Sequence, residues 1–238
     1  MKKILLSALL FISAGAMAMG TVKGNGNLKK ESRDISAFTA LSSAGQFSVE
    51  IGYGSGDQLQ IEGDENILPY IETYVKDGTL KLKVKDLTII KPQLQIRIKI
   101  SMATITGISV SGSGEIDGHG DFFNDGNTSF SMSGSGKLKL GFNHFSNVNI
   151  SMSGSGTIEL KGAVSKDLDI HQSGSGRIDC EGMPCENATV KISGSGNVRV
   201  NANQYISAHI SGSGEILYAG SAGRLDSHIS GSGKIRKI

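Results

Sequence analysis

The tetrapeptide Ser-Gly-Ser-Gly occurs seven times between Ser111 and Gly233, starting at Ser111, Ser133, Ser153, Ser173, Ser193, Ser211 and Ser230. The steps of 22, 20, 20, 20, 18 and 19 residues lie in the range of solenoid repeats, so the C-terminal half is one small unit used again and again. Around each first serine, apolar residues take odd offsets and polar residues even ones, which is strand periodicity. Immediately before the motif stand Val110, Met132, Met152, Gln172, Ile192, Ile210 and Ile229; five positions after its first serine stand Ile116, Leu138, Ile158, Ile178, Val198, Ile216 and Ile235. Each repeat therefore supplies one strand before the motif and one after it. A less regular third segment, such as Gly141 to Asn147, completes the turn.

Equivalent short strands stacked about 4.8 Å apart make an all-β parallel β-helix, a solenoid of about 20 residues per coil. The motif glycines suit its corners because glycine reaches positive φ, and the motif serines can bond to backbone or to one another. Propeller, leucine-rich and calcium-binding nonapeptide patterns are absent. Crossover preference and the uneven spacing point to a right-handed coil.

The N-terminal residues 1–18 read as a secretory signal peptide: Lys2 and Lys3, an apolar stretch from Ile4 to Ala14, and the small-x-small site Ala16-Met17-Ala18. Residues 19–34, glycine-rich and then charged, read as a flexible lead-in. Residues 35–238 read as a single solenoid domain, with 35–106 as irregular first coils and 107–238 as the tetrapeptide coils. In the first of these stretches Phe47, Val49 and Ile51, then Leu80, Leu82 and Val84, then Leu94, Ile96, Ile98 and Ile100 alternate with polar residues. A helical turn around Asn66 to Tyr70 is expected to cap the stack. No later apolar run is long enough to span a bilayer. Without Lys2 and Lys3 the 24 basic and 22 acidic residues balance, and no basic cluster stands out, which argues against nucleic acid as a partner.

With no tryptophan, eight phenylalanines and 33 glycines, the chain is better suited to thin stacked layers than to a deep enzyme pocket. Three sets of residues could carry chemistry. The outward row two positions before each motif reads Ser109, Ser131, Ser151, His171, Lys191, His209 and His228. Stacking places His209 beside His228, with Asp226 near, and two imidazoles with a carboxylate could hold Zn²⁺; a polar surface ladder interrupted by Lys191 is the plainer reading. The outward row after the motif reads Asp117, Lys139, Glu159, Asp179, Arg199, Leu217 and Arg236. Glu159 and Asp179 with Arg199 could act on a polysaccharide as hydrolase or lyase, or could simply form a charge-balanced ladder. Cys180 and Cys185, the only cysteines, could close a disulfide in an oxidising compartment or serve as small apolar fillers. The motif serines are too regular to be nucleophiles. No cofactor signature is present.

The run Arg33-Asp34-Ile35-Ser36-Ala37-Phe38, the segments Asp64-Glu65-Asn66-Ile67-Leu68, Ile71-Glu72-Thr73 and Asp77-Gly78-Thr79-Leu80, the tetrapeptide series, and Ile216-Leu217-Tyr218-Ala219-Gly220 together resemble the head GIN domain family of auto-transporter adhesins. The resemblance runs from about Arg33 to the C-terminus. It implies a right-handed β-helix similar in shape to pectin lyases, an extracytoplasmic location, and an adhesive role without a catalytic set. It extends to the solenoid alone, since an auto-transporter's membrane barrel is not represented before Ile238. The expectation is thus an exported, non-enzymatic β-helix that binds glycans or other components of the bacterial envelope in the periplasm, at the cell surface or outside the cell, with a polysaccharide-acting enzyme as the alternative. Uncovered solenoid ends are expected to favour a homo-oligomer.

Overall fold

A computed structural model describes residues 20–56, 58–164 and 166–238. The signal-peptide reading of residues 1–18 lies outside the described residues. The chain forms β1 (Gly20–Lys23), β2 (Leu28–Asp34), β3 (Ala40–Ala44), β4 (Ser48–Tyr53), β5 (Gln58–Asp64), β6 (Ile71–Lys76), β7 (Thr79–Val84), β8 (Thr88–Lys91), β9 (Arg97–Met102) and β10 (Gly107–Gly112). The repeats continue with β11 (Glu115–His119), β12 (Phe123–Gly134), β13 (Lys137–Gly154), β14 (Thr157–Val164), β15 (Asp167–Gly174), β16 (Arg177–Gly194), β17 (Asn197–Gly212), β18 (Glu215–Ala219), β19 (Arg224–Gly231) and β20 (Lys234–Lys237). The helical element among the described residues is a 3-10 turn, Leu68–Tyr70.

The repeats stack as a parallel β-solenoid with like residues in register. Ile116, Leu138, Ile158, Ile178, Val198, Ile216 and Ile235 form one column of strand partners, and all but the last are fully buried. Val110, Met132, Met152, Gln172, Ile192, Ile210 and Ile229 form a second column. Strands such as β13 and β16 run from one tetrapeptide to the next and include the third segment, where Phe142 stacks on Phe145 with ring centroids 4.0 Å apart. Burial of two or more apolar side chains on each strand of these coils, such as Ile108 and Val110 on β10 and Phe130 and Met132 on β12, is the main term holding coil to coil.

The first glycine of each motif takes a positive φ, from +101° at Gly112 to +128° at Gly212. Its carbonyl accepts from the following coil: Ser155 N–H donates to the Gly134 oxygen at 2.9 Å and Ser175 N–H to the Gly154 oxygen at 3.0 Å. The ladder thus runs through the corner on backbone groups alone. The motif hydroxyls make no hydrogen bond to backbone or to each other among the described residues, contrary to the expectation that they staple the corner; the glycine carbonyls already have their donors.

Gln172 interrupts an apolar column because of the second motif glycine. Gly156, Gly176 and Gly196 leave room for the ends of three successive side chains of this column: Met132 lies at Gly156, Met152 at Gly176 and Gln172 at Gly196. Glutamine has methionine's length and fills the same notch. Its Nε2 donates to the Gly176 oxygen while its Oε1 is left without a partner.

At the N-terminal end the coils do not follow chain order. β3 and β4 pair in parallel with β10 and β11 on one side and with β7 and β9 on the other. Antiparallel strands then close the stack: β6 lies on β7, β5 on β9, and β2 on β5. Ile67 and Leu68, at the 3-10 turn, are fully buried beneath this cap. The flexible lead-in expected over 19–34 is corrected here, since β1 pairs with β8 and β2 pairs with β5 over its whole length. Its sequence hid the strand because an outermost strand is held by backbone bonds and ion pairs, not by an inward apolar row. Lys30 pairs with Glu62 at 2.7 Å, and the Arg33 guanidinium donates to the carbonyls of Ile71 and Leu68 at 2.6 and 2.9 Å.

Asp64 ties this cap together. Its buried carboxylate accepts from the N–H groups of Gly26 at 2.7 Å and of Gln93 and Leu94, both at 2.9 Å. Burial pushes its carboxyl up, but the donors from Leu94, Gly26 and Gln93 outweigh that and hold it below the ordinary aspartate value.

Candidate functional site

Where each coil bends at the tetrapeptide, two outward rows face one another across a groove of about 750 Å³ that crosses seven coils. One wall is the row from Ser109 to His228, the other the row of motif serines from Ser111 to Ser230. The floor is the column Val110, Met132, Met152, Gln172, Ile192 and Ile210, whose side chains turn into the core. Strand alternation fixes this arrangement, because the residues on either side of an inward position must both point out. The first wall is hydroxyls in its N-terminal half, through Ser109, Ser131 and Ser151, and becomes imidazole and ammonium in its C-terminal half, through His171, Lys191 and His209, while the second stays serine throughout. The result is an open trough with repeated hydroxyls at one strand spacing, able to take an extended chain lying along the solenoid axis.

The histidines proposed from sequence as metal ligands do meet. His209 and His228 are register partners with ring centroids 6.1 Å apart. Asp226 is the register partner of Ser207, and His209 Nδ1 lies 3.4 Å from the Ser207 hydroxyl. Among the described residues no group of three or more His, Cys, Asp or Glu side chains is placed to hold a metal ion.

The acid row also forms as the spacing requires, on a face separate from the groove. Lys139, Glu159, Asp179 and Arg199 are successive register partners. Their side chains are engaged with neighbours on the same face: Glu159 pairs with Lys161 at 3.0 Å and Arg199 with Glu181 at 3.3 Å. The Lys161 ammonium holds the Glu159 carboxyl below the usual carboxylate range.

Cys180 and Cys185 are free and buried, so the disulfide expected as one possibility is not formed in the structure. Both side chains belong to the inward set, at different positions round one coil, and act as small apolar fillers. Burial raises the Cys180 thiol well above its ordinary value and pushes Cys185 up to about 12. The Cys185 thiol donates to the Asn201 carbonyl at 3.3 Å.

Sequence reasoning had both walls of the groove in hand and missed the groove. It treated the motif serines as corner pieces and the preceding row as an isolated ladder. The signal was their common parity about one inward residue, combined with the bend that the positive-φ glycine imposes.

Among solved structures, one described as "Putative lipid binding protein from Parabacteroides distasonis" is 27% identical with a TM-score of 0.68, over 92% of this chain and 99% of that one. A "putative adhesin" from Bacteroides fragilis is 21% identical with a TM-score of 0.75, over 91% of this chain and all of that one. A "putative adhesin" from Parabacteroides merdae is 21% identical with a TM-score of 0.64, over 92% and 99%. The last two share the fold. No curated protein matches the sequence. A family described as "Putative auto-transporter adhesin, head GIN domain" matches residues 37–222, from the first buried strand through the last complete coil. With that match over most of its length, and a β-solenoid common to all three structures, the chain belongs to the head GIN domain family.

Proposed function

We propose that this protein is an exported, non-enzymatic binding solenoid of the bacterial envelope, and that its ligand is an extended glycan or other envelope component lying in the tetrapeptide groove. The observation that carries this reading is the groove itself: two outward rows, repeated over seven coils, with motif hydroxyls that make no hydrogen bond to other protein groups among the described residues. A ladder of identical groups suits a polymer of repeating units, because each coil can repeat the contact made by the last. Lys191, between His171 and His209, favours a ligand with an anionic group at one end. Export is supported by the N-terminal signal-like run and by the family's adhesin description. No helix among the described residues is long and apolar enough to cross a membrane. The 27% identical relative described as lipid binding adds amphiphiles to the candidate ligands.

The test is retention of the purified protein on immobilised envelope polysaccharides, pectic glycans and phospholipid vesicles, with products assayed in the same incubations. Retention without cleavage is expected. Ser151→Arg, which sets a long cation in mid-groove, is expected to weaken it at least about tenfold, while Glu159→Gln, on the other face, leaves it unchanged. Product release that Glu159→Gln abolishes would establish the enzymatic alternative instead. Retention indifferent to Ser151→Arg would place the ligand elsewhere.

A further inference from the structure

The two ends of the solenoid differ. The N-terminal end is closed by antiparallel strands, but the C-terminal end has no strand beyond β19 and β20 among the described residues. All eight residues of β19 are exposed, including Leu225 at 43% and Ile229 at 42%, which continue the inward columns of the core. An apolar coil end with an unpaired strand edge is a template for another strand.

We propose that this end docks a second copy of the same chain, β19 against β19 of the partner subunit, antiparallel about a two-fold axis through Ser227. This goes beyond the reading of the lateral groove and does not depend on what the groove binds. Three features of β19 select that occupant and that register. The first is the direction of its free backbone groups. Four residues before the motif, the position that Asp226 holds in β19, Ser129 N–H of an inner coil donates into the preceding coil, to the Thr106 oxygen at 3.1 Å. Alternation then turns the N–H and C=O of Leu225, Ser227 and Ile229 to the open edge. With Ser227 on the axis these residues oppose one another as hydrogen-bonded pairs, giving about six bonds between copies.

The second feature is apolar matching. The same register sets Leu225 against Ile229 of the partner subunit, both on the core side, so each exposed apolar residue is covered by the other. The third is charge. On the outer side Asp226 faces His228 of the partner subunit, and the pair occurs twice by symmetry. A slip of two residues would set Asp226 against its own copy, or His228 against its own copy. A slip of one would turn the apolar set outward. One strand thus carries a self-complementary pattern that a strand of unrelated sequence would not match. The axis points into the core, so it carries β20 of each copy over the opposite flank of the other and keeps the basic residues Lys234, Arg236 and Lys237 apart. The pair would double the length of the stack.

Sedimentation equilibrium of the purified protein is expected to give twice the monomer mass. His228→Asp sets two carboxylates face to face at both ends of the pairing and is expected to weaken association at least about tenfold. The exchanged variant Asp226→His with His228→Asp restores the opposition and with it the dimer. Ser227→Pro is expected to give a monomer with an unaltered β-type circular dichroism spectrum, since the N–H it removes faces away from the coil's own ladder. A wild-type monomer overturns the proposal and leaves the edge to some other partner. A dimer unaffected by His228→Asp, or a charge exchange that fails to restore association in a folded protein, overturns it equally.

Discussion

Replacing Gly154 with alanine is expected to cost at least about 4 kcal/mol, a large part of the stability of an ordinary domain. Gly154 sits at φ +124°, a conformation open to glycine and strained for any other residue. The added Cβ would also overlap the carbonyl oxygen of Gly134 in the coil below. That oxygen cannot retreat, because it is held by Ser155 N–H at 2.9 Å. The same change at Gly78 offers a control. Gly78 has φ +69° with nothing within 4 Å of the added atom, so only the left-handed backbone cost of about 1–2 kcal/mol applies. Urea unfolding of the two variants should separate them by at least about 2 kcal/mol. Equal losses would mean that the corner is not packed glycine on glycine.

Asp64→Ala is expected to remove about 4 kcal/mol at neutral pH, because three partly buried N–H groups lose their shared charged acceptor together. The effect should depend on acid in a defined direction. The folded-state carboxyl is held below its ordinary value of 3.8 by the Leu94, Gly26 and Gln93 donors acting against burial. A depressed value contributes stability that is fully present above the unfolded-state value and is lost as pH falls through the folded one. Wild-type stability should therefore fall more steeply than that of Asp64→Ala as pH drops below about 4, and the two curves should converge. Unfolding midpoints measured across that range check this. Parallel curves would show that Asp64 is not ionised in the cap.

The solenoid was legible because its cause is periodic. Ile116 and its counterparts recur at nearly one interval, and a column of buried side chains needs nothing else to be recognised. The N-terminal cap was not legible, because nothing in Leu80 or Leu82 says that β7 lies beneath β3 and not after it in the stack. That order depends on where the antiparallel β6 can return. β2 was hidden for a different reason: Lys29, Lys30, Glu31 and Arg33 carry no inward pattern, and the strand exists by virtue of β5 beside it. Among the candidate sites, register alone brought His209 to His228 and Glu159 to Asp179, as parity and spacing implied. Local pairing then decided their chemistry. Lys161, two residues from Glu159 on the same strand, engages it along the strand, and the ladder argument had looked only across strands. The groove depends on the angle at the corner, which parity does not encode.

Columns of like residues underlie the groove, the buried core and the self-complementary end alike, and cysteine cross-linking tests them most directly. Ser131 and Ser151 are register partners in adjacent coils, at a separation of about 5 Å that a disulfide can span. The double variant Ser131→Cys with Ser151→Cys should oxidise quantitatively within the monomer. The offset variant Ser131→Cys with Ser153→Cys, set beyond the roughly 7 Å limit between Cα atoms, should stay reduced. Efficient bonding of the offset pair, with the aligned pair left reduced, would contradict the stacked register.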